Sequence, residues 1–322
     1  MSTVLEGLTC RPLWVSQMGC LKGCLDYLEM GMSEAWLFGV TGHAFVNNIA
    51  FDVCPSGPTA WQCNRIFELG KNAGFDVETV FACKENGDFA ERQLKAWTFV
   101  REALDAGVPC YGWELQKPEY YAILGYDDTG YRFHGHGADV ETPARAWNTL
   151  GNTDIGVLTV HSVKPGRAVE DDVAVCEALA FAVQFGRSRQ WVFENYTSGP
   201  DGFLVWAKAL ETGQANGIGV AYNAVIWAEC RKYAVEFLKL VVSRGILSRD
   251  EVQEAREAYE VSHHALREIA ELFPFFGHDA SQVQDKTRVQ KAVTFLHQIH
   301  DAEDRALNTF EEIVSSEIVI HS

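Results

Sequence analysis

The sequence predicts a mixed α+β domain over residues 1–166, followed by an all-helical domain over residues 167–322. Three observations support this division. In the first half, apolar residues at helical spacing alternate with short β-rich runs that end in turn residues. The second half carries apolar stripes at helical spacing only. Pro165 and Gly166 separate the two patterns, so we place the domain boundary there.

The first 107 residues alternate between helical and extended patterns. Gly39 and Gly42 interrupt an apolar run, which predicts a short element, a glycine turn and a strand over residues 44–53. The pattern then predicts two helices that end at glycines, over residues 60–75 and 88–107, with a strand between them. An earlier amphipathic helix is predicted from four apolar residues at spacings of three and four: Leu21, Cys24, Leu25 and Leu28.

Residues 108–166 read as β-structure. Three runs, residues 108–115, 116–128 and 130–137, are separated by turns and predict an antiparallel meander. One more strand precedes Pro165. The following residues predict four or five helices with apolar stripes, which is typical of a bundle, and Ser248 with Glu251 predicts a capping box.

Composition excludes several classes of protein. The net charge of −17 repels nucleic acids and anionic membranes, so we expect neither as a partner. No apolar run is long enough to span a membrane, and the N-terminus lacks the pattern of a signal peptide. Nine cysteines lie mostly in apolar runs, which is typical of buried, reduced thiols and predicts a cytoplasmic protein. The oligomeric state is left open, a homodimer included.

Two residues are candidates for thiol chemistry. Cys20 stands at or just before the first turn of a predicted helix, where unpaired N–H groups and the helix dipole would lower its pKa. His43 lies in a glycine turn and is a candidate base, although a buried structural histidine is the simpler reading. His134 and His136 rank lower, as a solvated strand end. No cysteine or histidine pattern completes a metal site, and we expect no cofactor.

The order of these elements resembles the papain-like cysteine peptidase fold. In that fold a cysteine heads the first long helix, and the base histidine opens a strand six residues before Gly-Tyr. Cys20 matches the first feature, and the step from Glu119 to Gly125 and Tyr126 matches the second. The chain looks more closely like the N-terminal domain of the butirosin biosynthesis protein H family, and its helical half looks like the attached bundle. The matching residues are Ser33, Glu34, Ala35, Gly39, Gly42 and Phe45.

The resemblance implies cysteine-dependent acyl transfer in natural-product metabolism, with a small-molecule substrate that an acyl carrier protein can deliver. A thioester on Cys20 would form or break an amide or thioester. The position that corresponds to the base histidine, however, is occupied by Glu119. Either His43 supplies the base and Glu119 orients it or binds an amine, or the site is a non-catalytic pocket in which Glu119 holds a cationic ligand.

Five further residues are candidates for substrate contact. The tryptophans suit pocket walls, although each is more often core, and the two polar residues lie in an apolar helix where hydrogen bonds within the bundle are the alternative. These candidates are Trp36, Trp61, Trp113, Asn223 and Glu229.

Overall fold

The computed structural model describes the backbone of residues 2–320 and the side chains of residues 2–316. The chain forms two compact units. The first, which we call the sheet unit, extends to Ser33 and continues over Gly74–Ala168. The second, the helical unit, comprises Glu34–Ala73 and the chain from Val169 onward. Residues 34–73, which the sequence pattern grouped with the first half, therefore cluster with the helices.

The described elements are as follows, in chain order. The strands are β1 (Thr3–Val4), β2 (Asn48–Ala50), β3 (Phe75–Cys83), β4 (Cys110–Trp113), β5 (Tyr120–Tyr126), β6 (Gly130–His134), β7 (Arg145–Ala146), β8 (Val157–Pro165) and β9 (Tyr196–Ser198). The helices are α1 (Ser16–Tyr27), α2 (Glu34–Val40), α3 (Asn64–Asn72), α4 (Phe89–Asp105), α5 (Asp171–Arg187), α6 (Pro200–Glu211), α7 (Gly217–Ser243), α8 (Arg249–Leu272) and α9 (Lys286–Ile320).

The sheet unit is built on one antiparallel sheet. Its strands run in the order β3-β8-β4-β5-β6-β7, and β1 pairs with the end of β5. The predicted meander is confirmed, since Trp113 on β4 pairs with Tyr120 on β5 and Ala122 on β5 pairs with His134 on β6. Every residue of β5 is buried, which explains its unbroken run of apolar and aromatic residues. Helix α1 packs on β5, β4 and β8.

The helical unit contains the predicted bundle. Helix α9 packs against α8, α6 and α5, and α7 packs against α8 and α2. The predicted capping box at the start of α8 is confirmed, because Ser248 accepts from the N–H of Glu251 while the Glu251 carboxylate accepts from the N–H of Ser248. Gly39 permits the close packing of α2 on α7, since a Cβ there would lie 1.9 Å from the ring of Phe237.

The predicted strand over residues 44–53 is shorter than expected. A 3₁₀ helix occupies His43–Phe45, and only β2 is extended, paired with β9. Arg231 on α7 explains the difference, because it donates to the carbonyl oxygens of Ala44 and Val46 at 3.3 and 2.6 Å. Those carbonyl oxygens are therefore not available to accept hydrogen bonds from a neighbouring strand. Within residues 2–320, no helix is both long and apolar enough to cross a membrane.

Candidate functional site

The start of β5 and the first turn of α1 meet at Glu119 and Ser16. Ser16 is the first residue of α1, and its buried hydroxyl donates to Glu119 Oε2 at 2.5 Å. The same oxygen of Ser16 accepts from the backbone N–H of Tyr120 at 3.0 Å. Glu119 is half-buried. The positive end of the α1 dipole favours a carboxylate at this place. The resemblance to the papain-like fold placed Glu119 in the position of the base opposite Cys20, and the structure shows a hydrogen bond from Ser16 to it.

Cys20 lies deeper in α1 than the sequence suggested. It is the fifth residue of the helix, past the unpaired N–H groups of the first turn, and it is fully buried. Burial raises the pKa of the Cys20 thiol well above its usual range, and the neighbouring Cys10, Cys24 and Glu119 raise it further. The expectation of a lowered pKa is therefore wrong. In the described part of the sheet unit, the hydrogen bond of Cys20 Sγ runs to Cys10 Sγ and to no histidine.

A segment without helix or strand structure covers this face of α1. Residues 9–13, which we call the N-terminal strap, cross the helix at two glycines. A Cβ at Gly19 would lie 2.5 Å from the carbonyl oxygen of Arg11, and one at Gly23 would lie 1.8 Å from that of Thr9. Only the missing side chains allow the backbones to approach so closely. The strap is thus the reason why Cys20 is buried from this side.

Polar contacts hold the strap at both ends. His134 Nδ1 accepts from the backbone N–H of Cys10 at 3.2 Å, so its proton is on Nε2. His136 Nε2 lies 3.0 Å from the carbonyl oxygen of Leu13 and must donate to it. Arg11 pairs with Asp26 on α1 at 2.5 Å. His134 at the end of β6 and His136 in the turn after it therefore hold the strap rather than face a catalytic thiol.

Substituting Gly23 tests whether the strap controls access to Cys20. We expect Gly23→Ala to raise the rate of Cys20 alkylation by iodoacetamide at pH 7 about tenfold or more, because overpacking of about 1–3 kcal/mol favours displacement of the strap. Mass spectrometry of peptides would locate the label. Gly87→Ala is the matched control, since a Cβ there meets nothing within 4 Å. An unchanged rate in Gly23→Ala would show that the strap is not the barrier.

The sheet unit also buries a histidine that the sequence reading did not select. His161 on β8 is 3% exposed, hydrogen-bonds to Thr79 through Nδ1 at 2.8 Å and packs 4.6 Å from the Tyr111 ring. Burial lowers its pKa to about 3, so it is neutral in the folded protein. Its only sequence signal is a single histidine within an apolar strand, which usually indicates a satisfied core residue.

His43 belongs to the core of the helical unit. Its ring lies between Phe38 and Trp61, and Nδ1 lies 3.7 Å from the buried Sγ of Cys230. Burial, with a smaller contribution from the Arg231 cation, lowers the pKa of His43 to about 4. A neutral imidazole next to a buried thiol is a hydrogen-bonded pair, because burial raises the pKa of Cys230 as well.

The remaining predicted site residues divide between the units. Trp113 packs on Tyr120 in the sheet unit, with ring centroids 5.1 Å apart. Trp36 packs beneath Arg244 in the helical unit, where Trp61 adjoins Phe181 and Phe185 and Glu229 is half-buried.

Asn223 has its amide engaged within the helical unit. It donates to the carbonyl oxygens of Cys54 and Gly219 and accepts from Trp227 Nε1 at 2.9 Å. Hydrogen bonding within the bundle is the alternative that the sequence left open for Asn223.

The described side chains include no group of three or more His, Cys, Asp or Glu residues placed to hold a metal ion. No model of a known protein family matches this chain, and no curated protein matches it. Its function therefore has to be inferred from its residues and their geometry.

Proposed function

We propose that the sheet unit binds a small molecule carrying a protonated amine, with the Glu119 carboxylate as its counter-charge. The observation that carries this proposal is the position of Glu119, half-buried at the start of β5 and fixed at 2.5 Å by Ser16. A held, partly desolvated carboxylate binds an ammonium group more strongly than one on a flexible exposed side chain.

The surroundings of Glu119 favour a cation over an anion or a thiolate. The chain carries a net charge of −17, which attracts cations. The Glu119 charge also opposes ionisation of Cys20, so a carboxylate here is a poor partner for a thiolate nucleophile. Its place at the head of α1 is fixed by the Ser16 hydroxyl, which holds its own orientation through the N–H of Tyr120.

Substitution of Glu119 by glutamine tests the proposal. Calorimetric titration with n-butylammonium and spermidine should give saturable binding in the wild type and at least tenfold weaker binding in Glu119→Gln. The variant keeps an acceptor for Ser16 but removes the charge, and a charge-assisted hydrogen bond contributes about 1.5–3 kcal/mol. Glu141→Gln, an exposed site in the same unit, is the matched control. Absence of saturable binding, or equal affinity in Glu119→Gln, would refute the proposal.

Cysteine-dependent acyl transfer is the second candidate. The observation that favours it is the packing of α1, which carries Cys20, on the strand that begins beside Glu119. This is the helix-on-sheet arrangement expected of a papain-like domain, and we infer that architecture for the sheet unit. The reaction would form or cleave an amide or thioester on a small molecule, free or delivered by a carrier protein, in cytoplasmic natural-product metabolism.

Acyl transfer would require the strap to leave Cys20 and a base to approach it. A protein that turns over a small thioester such as an acyl-N-acetylcysteamine, and loses this activity in Cys20→Ala, would favour the enzyme. Alkylation of Cys20 in the wild type no faster than that of a free thiol across pH 6–8 would favour the binding protein.

A further inference from the structure

Cys10 and Cys20 form a close pair of buried thiols. Cys10 lies on the N-terminal strap and is 6% exposed, whereas Cys20 lies on α1 and is fully buried. Their Sγ atoms are 3.5 Å apart, at S–H···S hydrogen-bond distance, and neither forms a disulfide bond. A disulfide bond needs about 2.05 Å between the sulfurs. The two sulfurs therefore have to approach by only about 1.5 Å in total, within reach of side-chain rotation and a small shift of the strap.

We propose that Cys10 and Cys20 are a reversible dithiol–disulfide pair that fastens the N-terminal strap covalently to α1. The proposal does not depend on what the sheet unit binds. It rests on two facts: the strap is held by non-covalent contacts alone, and its one thiol faces the thiol of the helix beneath it. Oxidation would fix the N-terminal strap to α1 covalently, and reduction would make the strap displaceable again.

The chemistry is a two-step exchange with a low-molecular-weight disulfide such as glutathione disulfide. In the first step the Cys10 sulfur attacks the small disulfide, forms a mixed disulfide and releases one small thiol. In the second step Cys20 attacks the Cys10 sulfur, and the second small thiol leaves. Each protein thiol gives up its proton to a departing thiol. One disulfide is reduced to two thiols and one protein disulfide is formed, so the two electrons balance.

The order of the two steps follows from the burial of each thiol. Cys10 is at the edge of the cover and meets the reagent first, whereas Cys20 is enclosed and reacts with the partner it already touches. Cys24, one turn further along α1, is the competing partner, since it lies close enough to Cys10 for the two thiols to oppose each other's ionisation. The geometry selects Cys20 because its sulfur is in contact with that of Cys10.

Peptide mapping of the intact protein tests the pairing. After equilibration with reduced and oxidised glutathione at pH 8, the full chain should lose two free thiols and 2 Da, and a non-reduced digest should contain a peptide linked through Cys10 and Cys20. Cys24→Ser, a buried cysteine on the same helix, should form the same link. Cys10→Ser should lose it while keeping the circular dichroism spectrum of the wild type.

The functional readout is protection of the strap. Hydrogen exchange of residues 9–13 should be at least tenfold slower in the oxidised protein than in the reduced protein, and dithiothreitol should restore the faster rate. Two results would overturn the inference. One is a linked peptide through Cys10 and Cys24 or Cys110 in place of Cys20; the other is an intact reduced pair after equilibration in fully oxidising buffer, with or without 1 M urea to loosen the strap.

Discussion

Replacing Arg231 with methionine is expected to lower the free energy of unfolding of the helical unit by about 3–5 kcal/mol. Arg231 is fully buried on α7 and makes a bidentate ion pair with Glu303 on α9, with both N–O distances 2.7 Å. It also binds the carbonyl oxygens of Ala44 and Val46. The substitution leaves the Glu303 carboxylate buried without its counter-charge and two carbonyls without a donor.

Hydrogen exchange of α7 in increasing urea measures this loss. Lys232→Met is the matched control, because the neighbouring Lys232 is half-exposed and its pairing with Glu236 is loose, at 3.9 Å. The double variant Arg231→Met with Glu303→Leu should recover much of the stability, since neither charge then remains buried. A loss below about 1 kcal/mol in Arg231→Met would mean that the ion pair does not hold α7 and α9 together.

Acidification from pH 7 to pH 5 is expected to lower the free energy of unfolding of each unit by about 2 kcal/mol, through one fully buried histidine in each. The folded-state pKa is about 4 for His43 and about 3 for His161, so both are neutral in the folded protein at pH 5. In the unfolded chain a histidine has a pKa near 6.5 and takes up a proton below it. The unfolded state therefore binds more protons, and stability falls as the pH falls from 6.5 towards the folded pKa.

The pH dependence of urea unfolding between pH 7 and pH 5 checks this expectation. In His43→Gln the helical unit should lose a large part of this pH dependence, because glutamine keeps an acceptor for the Cys230 thiol but does not titrate. The half-buried His263, whose pKa is also lowered by burial, should account for the remainder. The groups that face His43 are Cys230 and Arg231, and neither changes charge in this range. His264→Gln, at a side chain 76% exposed, should keep the full slope. An unaltered slope in His43→Gln would contradict the assignment.

Local sequence patterns predicted the elements well where one physical signal dominated. The apolar and aromatic run within residues 116–128, closed by turn residues, predicted β5, and the Ser248–Glu251 pair predicted the start of α8, because both signals act within a few residues. The pattern failed for residues 44–53. A buried arginine nearly two hundred positions later binds the carbonyls that a sheet would have used.

The candidate site shows the same contrast between what local patterns predict and what depends on tertiary contacts. The six-residue step from Glu119 to Gly125 was read as a resemblance to the strand of the base histidine, and the structure places Glu119 in a hydrogen bond with Ser16. Neither the side-chain partner of Glu119 nor the state of the Cys20 thiol could be read from spacing. Both depend on Ser16 starting the helix one turn earlier than the apolar pattern suggested, and on residues 9–13 folding back over it.

Local patterns were enough to predict a mixed α+β region, a helical region and the acidic residue at the start of β5, because periodicity, turn chemistry and capping act over short stretches of chain. Contacts between distant parts of the chain make Cys20 a covered thiol in contact with Cys10 and make His43 a neutral core residue. Desolvation explains this difference. Distant segments of the chain exclude water from a thiol or an imidazole, and this shifts its pKa and sets its protonation state.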